Sequence, residues 1–120
     1  MDAFPGNEIE ICKLGDDGLL REKLADSTLL INCTSVGMGE QEGLSPIPDE
    51  SFLHRNLRVM DAIYHPAETK LLSQAKSAGV KVCTSGLNML LYQGVDAFKL
   101  YTGQEMPVEK VRDALLFSLI

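Results

Sequence analysis

Thr84-Ser-Gly-Leu-Asn-Met-Leu-Leu-Tyr-Gln-Gly-Val-Asp-Ala-Phe-Lys-Leu-Tyr-Thr-Gly103 reads as a helix that starts at a glycine directly behind a short strand. With Gly86 at 0° and steps of about 100° per residue, Asn88, Tyr92, Asp96 and Lys99 fall between about 200° and 280°, the one polar arc. Leu87, Leu91, Gly94 and Phe98 cover about 80° to 140°, and Met89, Leu90, Ala97 and Leu100 sit within about 60° of Gly86. Gln93 lands at about 340°, on the apolar side. A buried amide without partners costs on the order of 1–3 kcal/mol, so this one needs to be satisfied. Two readings stay open. In one, the amide bonds a neighbouring backbone group and does nothing else. In the other, it faces a cleft and binds a polar ligand, and Gly86, lacking a Cβ, lets a flat ring approach.

The segments before this helix alternate between strand and helix signals. Val80–Thr84 is a short strand. Leu57-Arg-Val-Met-Asp-Ala-Ile-Tyr64 is another, and Thr28-Leu-Leu-Ile-Asn-Cys-Thr34 is apolar enough to be buried on both faces of a parallel sheet. Between these two, residues 35–48 carry glycines and prolines that exclude a regular element. A loop this long in a compact domain is usually functional or mobile. Asp49 to Leu53 forms one helical turn. His65-Pro66-Ala-Glu68 predicts a helix start, with Leu71, Leu72 and Ala75 at helical spacing and Gly79 as the stop. Near the N-terminus, Glu8–Leu14 alternates strictly, as an edge strand does, and Gly18–Ala25 follows as a short helix burying Leu20 and Leu24. After Gly103, Pro107 opens a last helix with Val108, Val111, Leu115 and Leu119 as its apolar stripe.

This order predicts an α/β domain: a partial Rossmann-like three-layer arrangement around a mostly parallel sheet of about four strands. Ligands of such sheets bind beyond the carboxyl ends of the strands. Those ends are Asn32–Thr34, Ala62–Tyr64 and Thr84–Gly86, which make one contiguous ledge.

The 120 residues suffice for one domain, with 45% apolar and 23% charged residues, an ordinary globular composition. A net charge of −6 without a basic cluster argues against nucleic acid or an acidic membrane as partner. No apolar run reaches transmembrane length, and no basic-then-apolar leader opens the chain. Cys12, Cys33 and Cys83, odd in number and far apart, read as reduced, buried thiols of a cytoplasmic protein. His54 and His65 stand alone, so no metal site is expected.

Chemistry is sparse. Gly37-Met-Gly39 with Gly43 imitates a dinucleotide fingerprint at the wrong spacing. Thr34 and Ser35 could donate hydroxyl hydrogen bonds to a phosphate or ribose; alone, a turn that caps its own backbone is the simpler reading. Tyr64 at a strand end is more often packing with its hydroxyl in water. Asp61 within its strand is assigned a structural role. No general base or nucleophile–base pair can be assigned, so no catalytic residue is named.

Three segments in register resemble the shikimate/quinate dehydrogenase family in its C-terminal half. They are Asn32-Cys-Thr-Ser-Val-Gly-Met38, Asp61-Ala-Ile-Tyr-His-Pro-Ala-Glu-Thr-Lys-Leu-Leu72, and Gly86-Leu-Asn-Met-Leu-Leu-Tyr-Gln-Gly94 with Ala97-Phe98 and Tyr101-Thr-Gly103. The resemblance covers roughly residues 8–118. It implies NADP- or NAD-dependent reduction of 3-dehydroshikimate, on the path to aromatic amino acids, with shikimate or quinate as the small-molecule ligand. It implies substrate contacts from Tyr64 and Gln93, and positions along the cofactor for Thr34, Ser35, Ala62, Ile63 and Gly86. Asn88 and Cys33 depart from the glycine and alanine common there. Residues 1–120 would then be the C-terminal part of a nucleotide-binding domain. The family's catalytic lysine and its aspartate partner, its substrate domain and its glycine-rich phosphate loop match nothing in this sequence. A chain so reduced is expected to be inactive alone, since hydride transfer needs both reactants held together.

In the usual strand order 3-2-1-4-5-6, the strand at residues 8–14 would lack its neighbours. It is expected to pair anew, beside Leu29–Asn32 or against another copy, and a bare edge invites association. The alternative function is a non-catalytic α/β interaction or regulatory module. A glutamine kept on an apolar helical face, with Tyr64 and Gly86, argues against that alternative. A phosphoacceptor receiver domain fits less well, because Asp61 lies inside its strand.

Overall fold

A computed structural model describes residues 6–119. Helix α1 (Asp17–Ala25) leads into β1 (Leu29–Asn32), β2 (Arg58–Asp61), α2 (Lys70–Ser77), β3 (Val82–Thr84), α3 (Leu87–Thr102) and α4 (Val108–Ser118). The three strands form one parallel sheet in the order β1-β2-β3, with Ile31 opposite Met60 and Met60 opposite Thr84. The sheet therefore has three strands among the described residues, not about four.

Residues 8–14 account for the difference. They form no strand, and Ile9, Ile11 and Leu14 are exposed. Neither β1 nor any other described strand pairs with them, so the expected new pairing beside Leu29–Asn32 is not made. Alternation alone leaves every backbone group of such a segment to water, and without a ladder it gains nothing from being extended. The Glu10–Lys23 ion pair ties it to α1.

Helices α1 and α2 cap themselves. Asp16 accepts from Leu19 N at 3.1 Å, and Thr69 Oγ1 accepts from Leu72 N at 3.3 Å. The start of α2 is thus Thr69, not His65-Pro66. A threonine hydroxyl satisfies an orphan amide, which a proline at the first helical position cannot do. Leu24 of α1 and Leu71, Leu72 and Ala75 of α2 join Val59, Leu57, Phe52 and Ile47 in the core. The turn at 49–53 is a 3-10 turn, Glu50–Phe52, and a second one, Gly39–Gln41, lies inside the loop expected to hold no regular element.

The core lies on one side of the sheet. Leu30, Val59 and Cys83 point into it, while Leu29, Ile31 and Val82 on the other side are each about half exposed. The Thr28–Thr34 run was expected to be buried on both faces, and it is not. Its second face and the free edge of β1 have no cover within the described chain. Helix α3 begins at Gly86 and ends at Gly103, whose φ of +69° is the left-handed value that stops helices. It packs on α4, along which Val108, Val111 and Leu115 are half-buried at the predicted spacing. Neither α3 nor α4 contributes a residue to the main core cluster. No helix among the described residues is long and apolar enough to cross a membrane.

Candidate functional site

Beyond the carboxyl ends of β1 and β2 lies a cleft of about 540 Å³. It is lined by Cys33 and Thr34 after β1, by Ala62, Ile63, Tyr64 and His65 after β2, and by Met38, Gly39 and Leu119. It takes in two of the three strand ends of the expected ledge, and Thr84–Gly86 does not line it. Its walls are mostly apolar. No lysine, arginine or carboxylate is among the described residues that line it. Such a cleft suits a flat ring and offers nothing to neutralise a phosphate.

Thr34, Ala62, Ile63 and Tyr64 come together in this cleft. Thr34 Oγ1 donates to Asn32 Oδ1 at 2.7 Å and accepts from Val36 N at 3.2 Å, so its proton is already committed to the turn. Ser35, one residue outside the lining, lies 3.3 Å from Gln41 Oε1 through its hydroxyl. Tyr64 is 41% exposed at the mouth, and its hydroxyl has no hydrogen-bond partner among the described residues.

Gly86 stands behind the wall. Its N–H donates to Ile63 O at 2.9 Å. A Cβ on it would lie 1.9 Å from the Ala62 carbonyl oxygen. What a Cβ here would meet is backbone, so the missing side chain lets α3 start against the end of β2.

Gln93 does not line the cleft. It is exposed, not buried, so its amide needs no protein partner. It shares its face of α3 with Met89 and Leu100, which are 59% and 85% exposed. The apolar face that the helical period predicts is present, and at Met89, Gln93 and Leu100 nothing among the described residues covers it.

Sequence reasoning missed two features. His65 lines the cleft beside Tyr64, and only adjacency could have signalled it. The second is the ring of hydrogen bonds around Asp61. Asp61 is fully buried and accepts from Ile63 N, Asn32 Nδ2 and Thr69 Oγ1. Its side-chain partners lie 29 and 8 residues away, beyond the reach of local spacing. The structural role assigned to Asp61 is the one these bonds describe. Among the described residues no group of three His, Cys, Asp or Glu could hold a metal ion, and the three free cysteines are not buried as expected: Cys33 is exposed and Cys12 and Cys83 are half-buried.

A parallel sheet with helices packed on it and a ring-sized cleft past its strand ends defines the class, a Rossmann-like α/β domain. Comparison with known proteins narrows it. Residues 86–116 match the model of the shikimate 5'-dehydrogenase C-terminal domain. A shikimate dehydrogenase (NADP(+)) of Streptococcus equi subsp. zooepidemicus is 48% identical over 102 residues, 85% of this chain and 35% of that protein. The crystal structure of shikimate 5-dehydrogenase from Listeria monocytogenes, in complex with shikimate and NAD, superposes with a TM-score of 0.78 at 37% identity, covering 85% of this chain and 35% of that one. Quinate dehydrogenase from Corynebacterium glutamicum in complex with NAD superposes with a TM-score of 0.73 at 34% identity, covering 81% and 33%. The chain is a homologue of the C-terminal part of the shikimate dehydrogenase family. It spans about a third of the length of the relatives it matches.

Proposed function

We propose that this chain forms the nicotinamide-side wall of a shikimate or quinate dehydrogenase, in a cytoplasmic setting that keeps its cysteines reduced. On this reading residues 1–120 are the C-terminal part of a nucleotide-binding domain. The observation that carries it is the cleft, where Thr34, Ala62, Ile63 and Tyr64 meet around an apolar, ring-sized space at the strand ends. A planar nicotinamide fits there, with Ala62 and Ile63 beside it and Thr34 and Ser35 along the nucleotide. When bound it would supply a hydride to the ketone carbon of 3-dehydroshikimate. Tyr64, with its free hydroxyl at the mouth, and Gln93, on the exposed stripe of α3, would hold the substrate's hydroxyls. Gly86 fixes how closely that stripe approaches the ring site.

The described residues offer no cation for the nucleotide's phosphates in this cleft and no lysine for proton transfer. The chain alone is therefore expected to bind NADP or NAD weakly and to turn over nothing. The open edge of β1 and the bare sheet face beside it favour association, with a further part of a dehydrogenase or with a second copy.

The test is turnover, followed by nicotinamide absorbance with shikimate or quinate and NADP or NAD. The chain is assayed alone and mixed with the separately made N-terminal part of the Streptococcus equi relative. Silence alone and activity on mixing is the expected result. Silence in both, with the two parts shown to associate, would favour the reading as a non-catalytic module.

A further inference from the structure

We propose that Asp61 is a positioning residue. One buried carboxylate holds the Thr34 turn, the Ala62–Tyr64 ledge and the start of α2 in a fixed relation, and so sets the shape of the cleft. Only its last consequence, nucleotide affinity, rests on the function proposed above.

Asp61 is 0% exposed at the end of β2. Its Oδ1 accepts from Ile63 N at 3.0 Å and from Asn32 Nδ2 at 3.1 Å, and its Oδ2 accepts from Thr69 Oγ1 at 2.7 Å. Every partner donates, and both carboxylate oxygens serve as acceptors. None of the ion pairs among the described residues includes it. Burying such a group is costly unless its hydrogen bonds are complete, and an apolar side chain in its place would strand three donors.

The ties run on from there. Asn32, 3% exposed, accepts from Thr34 N at 3.1 Å and from Thr34 Oγ1, while its Nδ2 also reaches Val36 O at 3.2 Å. Thr34 Oγ1 accepts from Val36 N. Thr69 carries the network the other way, since the hydroxyl that donates to Asp61 also caps Leu72 N. The amides of Thr34, Val36 and Ile63 thus find their acceptors in this network, and all three sit at or beside the cleft.

Amide hydrogen exchange on the 120-residue chain tests this directly. In Asp61→Ala, exchange at Thr34, Val36 and Ile63 is expected to quicken at least about tenfold, with Val59 and Ala75 in the core unchanged, because a local opening need not unfold the rest. Asp61→Asn keeps Oδ1 and turns its amide toward Thr69 Oγ1, which can accept it, so protection is expected to return to within about threefold. If Asp61→Ala does not fold, Thr69→Val decides. A hub requires faster exchange at Ile63 and Thr34 as well as at Leu72, whereas a helix cap alone moves Leu72 only. Unchanged exchange at Thr34 and Ile63, or acceleration spread evenly through Val59 and Ala75, would overturn the proposal.

A second readout uses the chain paired with the relative's N-terminal part. There Asp61→Ala is expected to weaken NADP binding about tenfold and Asp61→Asn to restore it. If the unaltered pair binds no nucleotide, the proposed function fails, and the exchange pattern still decides the role of Asp61.

Discussion

Gly86 and Gly103 bound the same helix for different physical reasons, and substitution separates them. A Cβ at Gly86 would overlap the Ala62 backbone, with contacts of 1.9 Å and 2.5 Å that no rotamer relieves. Gly86→Ala is therefore expected to cost about 2–3 kcal/mol, as overpacking against an immovable neighbour does, read as a thermal midpoint lower by roughly 10 °C. A Cβ at Gly103 meets nothing within 4 Å, and its φ of +69° is the only difficulty. Gly103→Ala is expected to cost about 1 kcal/mol, the strain of a left-handed residue. Equal losses in the two melting curves would refute this distinction. At this scale the sequence was legible where a residue's partners are near in the chain. Gly86 and Gly103 announce a helix start and stop. The network of Asp61 does not announce itself, because Asn32 and Thr69 reach it only through the fold. The exposure of Gln93 was hidden too, since a helical wheel gives the face and not what covers it.

Among the elements, caps set the boundaries. Thr69 moves the start of α2 past Pro66, and Asp49 starts the turn at Glu50–Phe52 by accepting from Ser51 N at 2.8 Å. Hydrogen bonds from the Ser51 side chain and backbone hold the Asp49 carboxyl below the ordinary aspartate range, against a smaller opposing effect of desolvation. The sign follows from linkage. A carboxyl with a lowered folded value stabilises above its unfolded pKa, and that stability is lost as pH falls through the folded value. The Ser51 amide resonance is therefore expected to shift with a midpoint below that of a free aspartate, and the turn is expected to loosen on the acid side of that midpoint. A midpoint at or above the free value would contradict the cap. Strong helical periods and glycine stops made α1, α2, α3 and α4 readable in advance, with α2 displaced at its start. The strand predicted at residues 8–14 failed because pairing is not a local property. Alternation describes what a strand would bury, and only a neighbouring strand makes it one.

For the whole molecule the surface is the telling quantity. A compact chain of 13.1 kDa exposes about 6,400 Å² and has a radius of gyration of about 14 Å, whereas this one exposes 8584 Å² with a radius of 16.9 Å. The excess exceeds what each partner contributes to an interface of standard size, about 800 Å². Sedimentation is expected to reveal concentration-dependent association of the chain, and strictly monomeric behaviour up to its solubility would count against the open β1 edge as a docking line. Saturation with the N-terminal part of a relative, at about a hundredfold its Kd, is expected to raise unfolding stability by about 2.7 kcal/mol, measured as a shift in the denaturant midpoint. The α/β class and the strand-end ledge were legible from the alternation of elements, but the bare sheet face was not, because an apolar run looks the same whether or not something lies over it. The standing of α3 and α4 apart from the core cluster has a further consequence. The stretch up to Thr84 holds the main core cluster, whereas α3 adds the fully buried Leu91 and, on the function proposed above, carries the face toward the substrate. Substitutions at the exposed Met89, Gln93 or Leu100 are therefore expected to leave the melting point where it was and, on that proposed function, to change what is recognised. Such a division lets specificity drift or be engineered on a scaffold that does not register the change.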